Sequence, residues 1–165
     1  MKNTQLTNIS KYQVIPRVLA FISRGDEVLL IHRNKKNAFA YKKWNGIGGH
    51  IEKGEDPLTA IRREVKEETG FLIEKFDLNA VVFISQKIDV GIMLFVFSSN
   101  FDNDNIISSA EGEVKWIKMN EISLYDTVED ISYLLDVISN SKENNKVLIL
   151  NYEYSDDGLN IQIMN

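Results

Sequence analysis

The stretch from Asp56 to Gly70 carries both ends of a helix in its own sequence. Asp56 offers a side-chain oxygen to the N–H groups of a first turn, and Pro57 suits the first helical position, where its missing N–H would go unsatisfied anyway. Gly70 accepts the left-handed conformation on which helices end. At about 100° per residue, Leu58, Ile61, Val65 and Thr69 share one arc, and Glu64, Glu67 and Glu68 occupy the adjoining one. Such a helix must lay its apolar side on another element, and the flanking sequence says which kind.

The strand signals are there. Residues 14–23 and 27–33 are β-rich apolar runs around a turn at Arg24-Gly25-Asp26, which predicts an opening antiparallel hairpin. Further strands are expected over 76–88, 91–99 and 114–118, and Val128, Ile131, Leu134, Leu135 and Ile138 give helical spacing over 126–139. The runs 146–154 and 159–164 around Asp156-Asp157-Gly158 predict a terminal β-hairpin. The expectation is an α/β fold with a mixed sheet between helices. It divides into an N-terminal extension at 1–13, one domain over 14–140 and a C-terminal hairpin extension over 141–165.

The glutamates of the helix stand three, four and one residues apart in its last turns, where like-charge neighbours and the negative helix end each cost about 0.2–1 kcal/mol. Either Arg62, Arg63 and Lys66 offset this on a solvated surface, or a bound cation reverses its sign. With no cysteine and only His32 and His50, thiol chemistry, disulfides and ordinary zinc sites are excluded, so a cation here is a hard, oxygen-bound one, Mg²⁺ or Mn²⁺. A net charge of −5 opposes binding to nucleic acid or anionic lipid. Within it, however, the stretch from His32 to Lys43 holds Arg33, Lys35, Lys36, Lys42 and Lys43 without one acid, suited to a small polyanion or simply solvated. The longest apolar run, 92–97, is far short of a membrane span, and the first ten residues lack the apolar stretch of a secretory signal. A cytoplasmic protein without membrane partners is the expectation.

From Gly49 five residues lead to Glu55 and seven more precede Arg63, followed by Glu64-Val65-Lys66-Glu67-Glu68-Thr69-Gly70-Phe71. This series resembles the Nudix box in full. The resemblance implies an α/β/α sandwich that hydrolyses a nucleoside diphosphate linked to another moiety, with Mg²⁺ bound by box glutamates and water attacking phosphorus. Carried onto matching positions, Glu64 and Glu68 would be the principal metal ligands, Glu67 would complete the cluster or assist the water, and the Gly49 carbonyl would add a ligand. Arg63 would orient Glu64, and Glu55 would brace the loop. The general base differs among members. Glu111, ahead of Trp116, matches an additional glutamate of MutT-like members and is the candidate here, with a plain surface turn as its other reading.

The segment Trp44-Asn45-Gly46-Ile47-Gly48-Gly49 looks like the WNG-x-GG segment of 8-oxo-dGTP diphosphatases. That implies a nucleoside triphosphate cleaved to a monophosphate and pyrophosphate. Trp44 either stacks on a base or packs the loop, Asn45 either reads a base edge or caps the turn, and Arg33 suits a phosphate. Residues 125–130 correspond loosely to a purine-contacting region in similar enzymes, with helix capping by Asp126 as the simpler reading. ADP-ribose-cleaving members usually carry a proline beyond the box and dinucleoside-polyphosphate members a tyrosine. This chain has no proline after Pro57 and no tyrosine between Phe71 and Tyr125. Those substrates and nucleotide sugars remain the alternatives, beside a non-catalytic nucleotide sensor. The terminal hairpin also offers an edge on which a second copy can pair as a homodimer.

Overall fold

The structure, a computed structural model, describes residues 11–34, 40–85, 90–107, 111–155 and 158–164. Lys35 and Lys36 of the basic stretch, Asp156 and Asp157 of the terminal turn, and the first ten residues lie outside these. The opening hairpin is β1 (Gln13–Arg24) and β2 (Glu27–Arg33), followed by a two-residue β3 (Trp44–Asn45). The helix expected from its caps is α1 (Pro57–Thr69): Asp56 Oδ1 accepts from the N–H groups of Leu58 (2.8 Å) and Thr59 (3.0 Å), and Gly70 ends it at φ 76°. Strands β4 (Asp77–Ser85), β5 (Val90–Asn100) and β6 (Gly112–Lys118) come next, then a 3₁₀ segment (Met119–Leu124), α2 (Ile131–Asn144), β7 (Leu148–Ser155) and β8 (Gly158–Ile163).

All these strands belong to one mixed sheet in the order β3-β2-β1-β5-β4-β7-β8, with β6 paired to β2. β1–β5 and β4–β7 are parallel and the other strand pairs antiparallel. α1 packs over β1 and β6 on one face, and α2 over β4 on the other. The central strands therefore bury both faces, as their unbroken apolar runs Val18–Ile22 and Val28–Ile31 require. Two core layers result, one around Ala20, Ile61 and Val65 beneath α1, the other around Phe21, Val82, Leu134 and Leu150 beneath α2. The α/β/α sandwich is as expected. No helix among the described residues is long and apolar enough to cross a membrane.

The second helix begins later than its periodicity suggests. Residues 126–128 lie beside β3, and Glu129 and Asp130 then turn into the helix: Trp44 N donates to the Asp126 carbonyl (2.9 Å), and Val128 N donates to that of Trp44 (3.0 Å). β-branched Thr127 and Val128 suit that pairing, and the N-cap position falls to Asp130 instead of Asp126. The helix then runs past residue 140 to Asn144, so the boundary drawn there cuts through an element.

The terminal hairpin forms, but as part of the main sheet. β7 lies parallel to β4 from Ala80↔Leu148 to Ser85↔Glu153, and Leu148, Leu150 and Tyr152 are buried in the core. Leu150 is 0% exposed, so Leu150→Ala is expected to cost about 2–5 kcal/mol, the range for an emptied core leucine site. At roughly 2–4 °C per kcal/mol for a chain of this size, thermal unfolding should drop by several degrees. A melting temperature unchanged by the substitution would mean that the hairpin is peripheral.

Candidate active site

The site is built where the glycine-rich segment crosses from one strand to another. Trp44 and Asn45 pair with His32 and Ile31 of β2, and then the chain switches to β1. Ile47 and Ala20 exchange backbone hydrogen bonds (3.0 and 2.7 Å), as do Gly49 and Val18 (3.1 and 3.0 Å). The segment wedges the hairpin open, and it can do so only without side chains at its closest points. A Cβ on Gly48 would overlap the Val18 carbonyl oxygen, and one on Gly49 would stand 2.5 Å from Glu64 Oε1. The Asn45 side chain is buried and caps this bend, its Oδ1 accepting from Gly46 N (2.8 Å).

Against this segment lies the C-terminal half of α1, whose carboxylates are held by two guanidiniums. Arg63 donates through Nε and Nη2 to Glu55 (2.7 and 2.9 Å), through Nη1 to Glu64 (3.0 Å) and Glu67 (3.2 Å), and through Nη2 to the His50 carbonyl (3.0 Å). This raises the Arg63 pKa further and pushes Glu55 down to about 2, in each case chiefly through the Arg63–Glu55 hydrogen bonds. Arg33 donates through Nη1 to Glu68 (2.6 Å) and Glu111 (3.2 Å), and through Nη2 to the Gly48 carbonyl. Glu68 in turn accepts from Gly48 N (3.2 Å). The antiparallel register Arg33↔Gly112 between β2 and β6 is what brings Glu111 to Arg33.

Burial grades the three box glutamates: Glu67 is exposed, Glu64 half-buried and Glu68 only 1% exposed. Desolvation raises the Glu64 carboxyl above its usual range against the opposing pull of Arg63. It carries Glu68 to about 7 although Arg33 favours the charged form. Among the described residues no three acidic or histidine side chains converge as a metal cage. The physical reason is that each box carboxylate is directed to a guanidinium. An oxygen-only donor set beside the bare Gly49 Cα, where any side chain would collide with Glu64, nevertheless fits the chemistry of a hard cation.

On the other side of β3, Trp44 is half-buried between His32 (ring centroids 5.2 Å apart) and Tyr125 (5.6 Å, edge-on). Lys115 donates to Tyr125 Oη (3.0 Å), Lys43 pairs with Asp126 (3.6 Å), and Lys42 lies over the Tyr41 ring. Of the residues singled out from the sequence, Gly49, Glu64, Glu67, Glu68, Arg63, Arg33 and Glu111 thus come together around α1, while Trp44 forms an aromatic wall and Asn45 underpins the bend. Sequence reasoning missed Arg17, which is bridged to His50 from β1 and has its pKa lowered by burial and by Arg33. Tyr125 opens the segment 125–130 singled out from the sequence, and its edge-on contact with Trp44 comes with the long-range Trp44↔Thr127 bridge, which has no local signature.

Residues 14–137 match the family model described as NUDIX domain. A Mus musculus protein named oxidized purine nucleoside triphosphate hydrolase is 28% identical over 113 residues, 66% of this chain and 70% of that protein. The Bacillus subtilis (strain 168) Nudix hydrolase YvcI, named as uncharacterised, is 29% identical over 120 residues, 70% of this chain and 73% of that one. A solved MutT protein structure from Bacillus halodurans superposes with a TM-score of 0.71 at 22% identity, covering 90% of this chain and 97% of that chain, a likeness of fold.

The raised Glu68 pKa has a stability consequence. Between its ordinary value of 4.5 and about 7, the folded chain holds a proton that the unfolded chain has released. Its contribution to stability is therefore fully present below pH 4.5 and is lost as pH rises through about 7. In chelator, Glu68→Gln is expected to flatten the fall in melting temperature between pH 5 and pH 8. Identical slopes for the two proteins would contradict the assignment.

Proposed function

The chain belongs to the Nudix family, and from that premise we propose that it is a Mg²⁺-dependent pyrophosphohydrolase of nucleoside triphosphates, with an oxidised purine nucleotide such as 8-oxo-dGTP as the favoured substrate. Its products are a nucleoside monophosphate and pyrophosphate. The coarser activity, hydrolysis of phosphoric anhydride bonds in a nucleotide derivative, is that of the family.

The observation that carries the reading is the Glu64 carboxylate lying against side-chain-free Gly49, with Glu67 and Glu68 alongside it on guanidiniums. Glu64, Glu67, Glu68 and the Gly49 carbonyl would hold the cation. Bound there, Mg²⁺ supplies charge neutralisation to a triphosphate whose negative charge otherwise repels a nucleophile. The chain's own residues do the positioning. Arg63 fixes Glu64 and Glu67 to the loop through Glu55, and Arg33 fixes Glu68 to the Gly48 peptide. Glu111, at the mouth of that pair, is the candidate to hold the proton of the attacking water. Arg33, expected to contact phosphate, is only 8% exposed and serves first as the carboxylates' counter-ion. For the base, the wall of Trp44 and Tyr125 offers an aromatic face, and the mouse relative's name supports an oxidised purine.

The test is nucleotide product formation in Mg²⁺, followed chromatographically, from a panel of ordinary and 8-oxo nucleoside triphosphates, ADP-ribose, dinucleoside polyphosphates and nucleotide sugars, with pyrophosphate as the co-product expected from the triphosphates. Preference for an oxidised purine triphosphate is expected, with Glu64→Gln lowering kcat at least about 10²-fold, the scale of losing a charge-stabilising group. Arg63→Lys, which cannot span Glu55 and the helix bidentately, should lower kcat about 10–100-fold while its melting curve stays cooperative. Near-normal turnover by Glu64→Gln would refute the metal assignment. Turnover confined to another substrate class would refute the nucleoside triphosphate.

A further inference from the structure

Among the described residues β8 closes one side of the sheet, with β7 as its single strand neighbour. Met164 N donates to the Ile149 carbonyl (2.8 Å), which fixes Leu150↔Ile163 as a pair that exchanges no backbone hydrogen bonds with each other. Alternation along the register then turns the N–H and C=O groups of Leu159, Ile161 and Ile163 away from β7, toward the open edge. Sheet edges of this kind are ordinarily guarded by charge, proline or a bulge. From Gly158 to Met164 this one reads Gly-Leu-Asn-Ile-Gln-Ile-Met, without a charged residue or proline, and β7–β8 keeps a regular register throughout.

The strand is also complementary to itself. Leu159 and Ile161 pack against the core layer beneath α2, as do their partners Tyr154 and Tyr152, alternation puts the exposed Ile163 on the same face, and Asn160 and Gln162 face the other way. Rotated about a two-fold axis through Ile161, the strand sets Leu159 opposite Ile163 of a second copy and Asn160 opposite its Gln162. Every outward N–H and C=O then finds a partner, and apolar side chains meet apolar ones on the same face. A slip of one residue would set isoleucines against amides on the wrong face. Ile163, 56% exposed, and Met164, 61% exposed, are the apolar groups such pairing would cover.

We infer that a second copy of this chain docks antiparallel on β8, continuing the sheet across a two-fold axis centred on Ile161. This surface is on the far side of the sheet from β3 and β2, so the active sites remain separate. Sedimentation velocity of the full chain at tens of micromolar is expected to give a dimer. Asn160→Lys with Gln162→Lys, which sets lysines opposite one another across the axis, should give a monomer with unchanged turnover per chain. Where the double variant melts early, concentration-dependent protection of the Ile161 amide against hydrogen exchange in the unmodified protein decides instead. A monomer at these concentrations, a dimer indifferent to the two lysines, or an Ile161 amide equally protected at all dilutions overturns the proposal.

Discussion

The active-site end of the molecule rests on Arg63. Its guanidinium joins a loop residue, Glu55, to two helix residues, Glu64 and Glu67, and takes in the His50 carbonyl as well. Glu55 is itself fixed to the loop by the N–H of Glu52 (3.0 Å). A helix ending in clustered carboxylates is electrostatically unfavourable by itself, and a single planar cation with five donors relieves much of that while setting the angle between loop and helix. Arg33 does the equivalent for the buried Glu68 from the sheet side. The acidic row is thus stabilised by internal cations that hold its oxygens.

The glycine-rich segment supplies the geometric half of the same arrangement. By pairing first with β2 and then with β1, it ties the loop opposite the glutamates to two strands of the sheet. Its position is then held by backbone hydrogen bonds and close contacts, which rotamer changes cannot alter. A loop anchored on two strands is held more closely against the three carboxylates than a free loop would be.

How much of this was legible depended on the range of the interaction. The caps and the buried arc of α1 are local, so Asp56, Gly70, Ile61 and Val65 announced the helix almost residue by residue. Glu64, Glu67 and Glu68 were legible as a group because helical spacing alone puts them together. Arg33 was legible as a site residue but not in its role, since its proximity to Glu68 depends on how a helix packs across a sheet. Residues 126–130 read as the start of the helix because the apolar spacing over 126–139 begins at Val128, yet the bridge between Trp44 and Thr127 overrode it. The parallel union of β4 and β7 carried no signal at all, because parallel pairing leaves no turn between its strands to be recognised.

That union also orders events in time. β4 ends at Ser85 and the strand that covers its side begins at Leu148, so at ordinary translation rates of 5–20 residues per second about 3–13 s separate their synthesis. For that interval the nascent chain carries β4 with one side open and the core layer beneath α2 lacking Leu148, Leu150 and Tyr152. An open strand edge and uncovered apolar surface of this kind make an incomplete chain prone to aggregate, a hazard that ends when Leu148–Ser155 closes the sheet.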